Sequence, residues 1–369
     1  MKFALTRSVR RISVFVAITL VSGCASAAGE FLFEPVVEGI AVPWGMVWLP
    51  NGDMLITERK GELYRVDPSG RKTQVAGVPD VHVNGQGGLL DIELHPGFAT
   101  NGWVYLTYSS RDGSGDGSNT ALMRARLIGD QLRDQEVLYK AGPNTGRGQH
   151  YGSRIEFDDD GYLYFSAGDR GARDVNPQDL TRDNGKIYRL HDDGRVPSDN
   201  PFVDREDAKG AIYSWGHRNP QGMAKHPETG QIWIHEHGPR GGDEVNVIVA
   251  GQNYGWPILS YGINYSGTDF AEGTEREGFA PPAWYWVPSI APSGMTFVTG
   301  DNYPEFKGGL LVGSLKFSYV VLCRVEGDTV TSQEILFENI GRVRNVRQGP
   351  DGFIYVAVEG KGIVRVVRR

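Results

Sequence analysis

The fold predicted by this sequence is all-β, a six-bladed β-propeller of four-stranded blades. Two observations carry the prediction: a chain too rich in glycine and proline for long helices yet well supplied with aromatic bulk, and a turn-plus-strand unit that recurs six times. The 369 residues include 50 glycines and 20 prolines, which interrupt helical periodicity, while 39 Phe, Trp and Tyr residues give the chain enough apolar surface to fold. The recurring unit is a hairpin-type turn feeding a short apolar strand, with turns at Asn51-Gly52, Asn101-Gly102, Asp160-Gly161, Thr229-Gly230, Lys307-Gly308 and Asp351-Gly352. Successive turn glycines lie 50, 59, 69, 78 and 44 residues apart, the length of one four-stranded blade plus loops of variable size.

The elements follow in order. Residues 1–23 read as an export signal: Lys2, Arg7, Arg10 and Arg11 precede an apolar run, Ile12 to Val21, that is too short for a mature membrane-spanning helix. Val21-Ser22-Gly23-Cys24 reads as a lipobox. It predicts a lipidated Cys24, residues 24–30 as a tether and a periplasmic protein anchored to the outer membrane; Ala25-Ser26-Ala27 offers an ordinary cleavage site as the alternative. Residues 31–369 form the propeller, in which the segment 31–49 supplies a strand to the last blade and closes the ring, since an open propeller would expose strand edges. With Cys24 lipidated, Cys323 is left without a disulfide partner and reads as a small buried hydrophobe. A net charge of −7 argues against nucleic acid as a partner and makes any cluster of cations informative.

Such a cluster is present. Between Trp215 and Pro257 the chain combines Gly-His-Arg-Asn-Pro-Gln-Gly (216–222), Glu-His-Gly-Pro (236–239), Asp243-Glu244 and Asn253-Tyr254. Arg218 offers a planar fork to a carboxylate, and Gly238, Pro239, Asp243 and Glu244 offer the oxygen ligands that a hard cation such as calcium prefers. The longest intervals between turns, from Gly161 to Gly308, are where inserted loops are expected to carry the site. Elsewhere Gln86 and His150 are flanked by glycines that permit close approach of a ligand, and Lys316 follows the fifth repeat strand. Arg342 and Arg344 alternate, so in a strand both project from one face.

These residues sit in seven motifs: Pro-Trp-Gly-Met (43–46), Gly-Gln-Gly-Gly-Leu-Leu-Asp (85–91), Gln-His-Tyr-Gly-Ser-Arg (149–154), Gly-His-Arg-Asn-Pro-Gln-Gly (216–222), Glu-His-Gly-Pro (236–239), Gly-Ser-Leu-Lys (313–316) and Arg-Val-Arg (342–344). In that order they resemble the soluble pyrroloquinoline quinone (PQQ) dependent aldose sugar dehydrogenases, the glucose/sorbosone dehydrogenase family, over nearly the whole mature chain. The resemblance implies a six-bladed propeller that oxidises aldoses at C1 to lactones, with PQQ and calcium as cofactors. It implies that His150 is the general base, that Gln86 and Gln149 contact the sugar, and that Arg218, Asn219, Tyr261, Lys316, Arg342 and Arg344, with Gln86, hold PQQ. Gly238 and Pro239 would give backbone carbonyls to the calcium beside PQQ, and Asp243, Glu244 and Tyr254 resemble a second, structural calcium site.

One departure concerns the substrate. Glucose-specific members carry an acidic residue before the catalytic histidine, and Gln149 in its place cannot serve as the carboxylate that orients an imidazolium, which points to a broader aldose range. The electron acceptor is expected to be a quinone or a redox protein, and the assembly a monomer or homodimer. Two other classes stay open: a non-catalytic carbohydrate-binding propeller, and a calcium-dependent propeller lactonase, which needs a ring of Glu, Asp and Asn rather than a cationic cluster.

Overall fold

A computed structural model describes residues 31–369; the signal segment, the lipobox and Cys24 lie outside the described residues. The strands form six four-stranded antiparallel sheets. The innermost strands are Pro43–Trp48, Leu89–Leu94, Ile155–Phe157, Pro220–Lys225, Pro292–Phe297 and Val343–Gln348, and each neighbours the next around a central channel. Strand Phe31–Glu38 pairs with the chain's last strand, Gly362–Arg368, so the ring is closed by hydrogen bonds as expected.

All six recurrent turns lead into the second strand of a blade: Met54–Glu58, Trp103–Ser110, Leu163–Ala167, Ile232–Glu236, Leu310–Ser314 and Ile354–Val358. Every residue of these strands is buried, because neighbouring blades cover both faces. That is why each opens with a continuous apolar run and not an alternating one. Between blades four and five, for example, Trp233, Met295, Phe297, Leu310 and Cys323 pack as one cluster. Burial pushes the Cys323 thiol up to about 12, in keeping with an inert packing residue.

The turns mark one rim of the ring. The chain therefore reaches the opposite rim at the end of each second strand and again at the start of each inner strand. At that rim five of the six inner strands change register with their neighbours, at Pro43/Met46, Leu89/Ile92, Pro220/Gly222, Pro292/Met295 and Val343/Asn345. Such bulges re-aim the residues beside them.

The channel is plugged by Arg154, only 3% exposed. It pairs with Asp91 at 2.9 Å, stacks on Trp44 at 4.1 Å, and donates to the carbonyls of Trp44, Gln221 and Arg344. One guanidinium thus ties together inner strands of five blades. Two buried histidines sit nearby. Burial pushes His235 down to about 3, and His237 also lies well below the ordinary imidazole value. The His235 ring fits only because position 222 is glycine: a Cβ there would stand 2.1 Å from Nε2. Between about pH 6.5 and 3 the unfolded chain binds protons at these histidines that the folded protein does not, so stability should fall by several kcal/mol on acidification through that window. Denaturant midpoints across the range, compared with His235→Phe, would show it; a variant with the same acid slope as wild type would rule His235 out.

Candidate active site

The rim opposite the recurrent turns carries a cavity of about 1160 Å³ and an adjoining recess of about 370 Å³, which share Pro239 and Tyr265. Gln86, Lys316, Arg342, Arg344, Tyr261 and Pro239 line the cavity. His150, Gln149, Arg218 and Pro239 line the recess. The four anticipated cations therefore divide, three in the cavity and Arg218 in the recess. The residues come from all around the ring and not only from the long insertions between Gly161 and Gly308.

His150 is built in by its neighbours. Its backbone is left-handed, with φ 59°, an uncommon conformation for a non-glycine residue that the surroundings must hold. The Gln86 amide oxygen accepts its N–H at 2.8 Å, and the Gln86 N–H donates to the Gly148 carbonyl. The ring Nδ1 donates to Asp169 at 2.6 Å, which leaves Nε2 as the basic nitrogen. Asp169 is buried and also accepts from Trp256 Nε1 at 2.8 Å and from the Gly171 N–H. Burial alone would raise its pKa, but the His150 hydrogen bond and the positive charge of Arg218 outweigh it and hold the carboxyl below its usual range. For His150 burial wins: the imidazole lies below its ordinary value although Asp169 pulls it upward.

Sequence reasoning missed Asp169, and with it the premise drawn from Gln149 has to be corrected. A carboxylate does orient this imidazole; it comes from the loop after strand Leu163–Ala167, not from the preceding position. The adjacent Arg170 was missed as well. It is fully buried, lies 3.4 Å over the Tyr151 ring and donates to the carbonyls of Gln149 and Arg147, so the two residues brace the His150 loop from below.

Arg342 and Arg344 do share a face, because both reach Glu359: Arg342 Nε at 2.8 Å, and Arg344 through Nε at 3.0 Å and through Nη2. Arg59, also unanticipated, lines the same cavity and donates to the Gly85 carbonyl. Lys316 is exposed, with its ammonium 4.8 Å from the Phe317 ring. Arg218 is buried and donates to the His237 carbonyl. The Asn219 side-chain oxygen accepts the Gly152 N–H beside the His150 loop. Tyr261 stacks on Tyr285 at 3.7 Å and donates to Glu275.

The carbonyl-rich turn at Gly238-Pro239 is tightly folded, for a Cβ on Gly238 would lie 2.2 Å from the Gly241 oxygen. Asp243, expected with Glu244 and Tyr254 at a structural calcium site, is instead committed to this turn: its oxygens accept from the Gly238 N–H, the Ser289 hydroxyl and the Ala291 N–H.

The model of the family described as "Glucose / Sorbosone dehydrogenase" matches residues 40–366. The chain belongs to this family. An aldose sugar dehydrogenase of Escherichia coli (strain K12) is 41% identical over 349 residues, 93% of this chain and 94% of that protein. The quinoprotein glucose dehydrogenase B of Acinetobacter calcoaceticus is 29% identical, covering 87% and 72%. Among solved structures, the apo form of the soluble Escherichia coli aldose sugar dehydrogenase superposes with a TM-score of 0.87 at 38% identity, over 92% of this chain and all of that one. The PQQ-bound aldose sugar dehydrogenase of Streptomyces coelicolor gives 0.76 at 28%, over 94% and 100%.

The site's donors suit the groups that the family resemblance implies. Arg59, Lys316, Arg342 and Arg344 around one cavity fit an anion with several carboxylates, in agreement with PQQ. A second feature fits a divalent cation. Glu236 and Glu244 face each other across paired strands, burial and the Glu236 charge push Glu244 up to about 8, and the Asn246 side-chain oxygen beside them is buried without a partner. Tyr254 approaches this group by stacking on His217, which donates to Glu236.

Proposed function

We propose that this member of the family oxidises aldoses at C1 to lactones, using PQQ and calcium, with His150 as general base. The observation that carries the reading is the His150–Asp169 pair in a recess that opens beside a cavity lined by five cations, Arg59, Arg240, Lys316, Arg342 and Arg344. When bound, the ortho-quinone of PQQ would supply the two-electron acceptor for the hydride leaving C1, polarised by a calcium ion.

The protein's own part follows from the hydrogen bonds. His150 Nε2 would take the proton of the anomeric hydroxyl, and Asp169 would stabilise the imidazolium that results. Gln86 and Gln149 would present amides to the sugar; Arg218 and Asn219 would meet the cofactor on the His150 side, Tyr261 on the other. Lys316, Arg342, Arg344 and Arg59 would hold its carboxylates. Gly238 and Pro239 would give carbonyls to the calcium at PQQ, with Asp243 fixing their turn. Glu244 and Tyr254, joined by Asn246, would serve a structural calcium. A lactonase would need carboxylates around a central ion, whereas the centre of this ring is held by the Arg154 guanidinium.

The test is to titrate the purified protein with PQQ and calcium and assay dye reduction on several aldoses. Wild type should bind and turn over, and Arg344→Ala should bind PQQ weaker by roughly ten- to a hundredfold through loss of a desolvated charge partner. Saturating cofactor without turnover on any aldose would reject the enzyme in favour of a carbohydrate-binding propeller.

A further inference from the structure

The arginines expected to receive the cofactor already have an anion. Glu359 follows strand Ile354–Val358 and engages Arg342 Nε at 2.8 Å together with Arg344 Nε and Nη2. Its backbone is pinned: the Glu359 N–H donates to the Arg342 carbonyl at 2.9 Å, and the next N–H, of Gly360, donates to Ala41 at 2.8 Å. With the backbone fixed there, the ion pairs hold the carboxylate between the two guanidinium groups. Other donors of the pair are also committed, Arg342 Nη1 to the Leu315 carbonyl and Arg344 Nη1 to Gln221 and Ser293. Although partial burial acts to raise its pKa, the two arginines hold the Glu359 carboxyl below the usual range, so it is ionised at neutral pH.

A small anion entering the cavity thus meets two arginines that already share one carboxylate, so half of their charge is offset and a like charge stands beside them. An anion with several carboxylates can offset that repulsion by also reaching Lys316 and Arg59, which line the same cavity and make no ion pair with Glu359 among the described contacts. We propose that Glu359 is a specificity-determining residue: an internal counter-anion that excludes small inorganic anions from the cavity and lowers, by its charge, the affinity for the polyanionic cofactor. The inference rests on the PQQ reading above for its second half only.

The probes are inorganic phosphate and PQQ, read by calorimetry and by quenching of protein fluorescence, with chloride at equal ionic strength as the control. Wild-type apoprotein should take up no phosphate, and phosphate should weaken its PQQ binding no more than chloride does. Glu359→Gln should gain phosphate binding and bind PQQ about tenfold more tightly. Glu359→Asp, which keeps the charge, should follow wild type. Thermal unfolding of the apo forms checks the fold, and the wild-type competition stands on its own if the Gln variant does not fold. Phosphate that competes with PQQ in wild type, or a folded Gln variant that gains no phosphate binding, overturns the filter. Looser PQQ binding in Glu359→Gln would make Glu359 an orienting residue and overturn the second half. If wild type binds no PQQ, the cofactor reading fails, while the phosphate measurements still decide the first half.

Discussion

His150→Gln is expected to oxidise aldoses about a hundred- to ten-thousand-fold more slowly than wild type while binding PQQ almost as well, because the site loses its base and none of its cavity cations. Asp169→Asn should lie between the two. The amide can no longer stabilise the imidazolium, and His150, already below its ordinary value through burial, loses the one partner whose hydrogen bond raises it. In wild type the rate should fall as pH drops through the His150 pKa, at a pH below that of a free imidazole. In Asp169→Asn this limb should move further towards acid, under a lower plateau. A merely structural role for Asp169 would change stability or KM and leave the limb in place, and a wild-type rate in His150→Gln would end the proposed mechanism.

The largest stability effect should come from Asp91→Ala. Arg154 and Asp91 are 3% and 0% exposed, and removal of one member of such a pair strands a charge in the middle of the ring. Breaking a buried pair costs about 3–5 kcal/mol, whereas replacing both members with apolar residues of similar size costs far less. Denaturant unfolding of Asp91→Ala and of Asp91→Leu with Arg154→Met should show that contrast. A loss below about 1 kcal/mol in the single variant would mean that the carbonyls of Trp44, Gln221 and Arg344 suffice for the guanidinium.

The blades were legible because two kinds of signal coincide in each. The turn glycine fixes where a hairpin reverses, and the strand behind it is apolar over its first three residues because it is covered on both sides. Arg342 and Arg344 were legible from alternation alone. Asp169, Arg170, Arg59 and Glu359 were not, since each is a common charged residue in a loop and gains meaning only from a partner far away in sequence. Asp169 lies 19 positions from His150, and Glu359 lies 15 from Arg344. A usable signal was nevertheless present. Arg59, Asp169, His237, Lys316 and Glu359 each stand seven or eight residues after a turn glycine, the span of one second strand, so polar residues at that offset lie at the functional rim. The direction of the Asp169 side chain depends on Trp256, whose insertion has no repeat counterpart, and no offset rule would give it.

Because strand Phe31–Glu38 completes its sheet only against Gly362–Arg368, the earliest-made part of the ring must wait for the last-made. Five blades can assemble as the ribosome delivers them, but the sixth stays a two-stranded remnant, Val343–Gln348 with Ile354–Val358, until Gly362–Arg368 is available, and until then both its free edge and strand Phe31–Glu38 remain open to other chains. The Arg342–Glu359–Arg344 group sits in that final blade. If these arginines hold the cofactor, its capture waits for the last blade: a half-made chain could hold the His150–Asp169 pair and still lack Arg342 and Arg344.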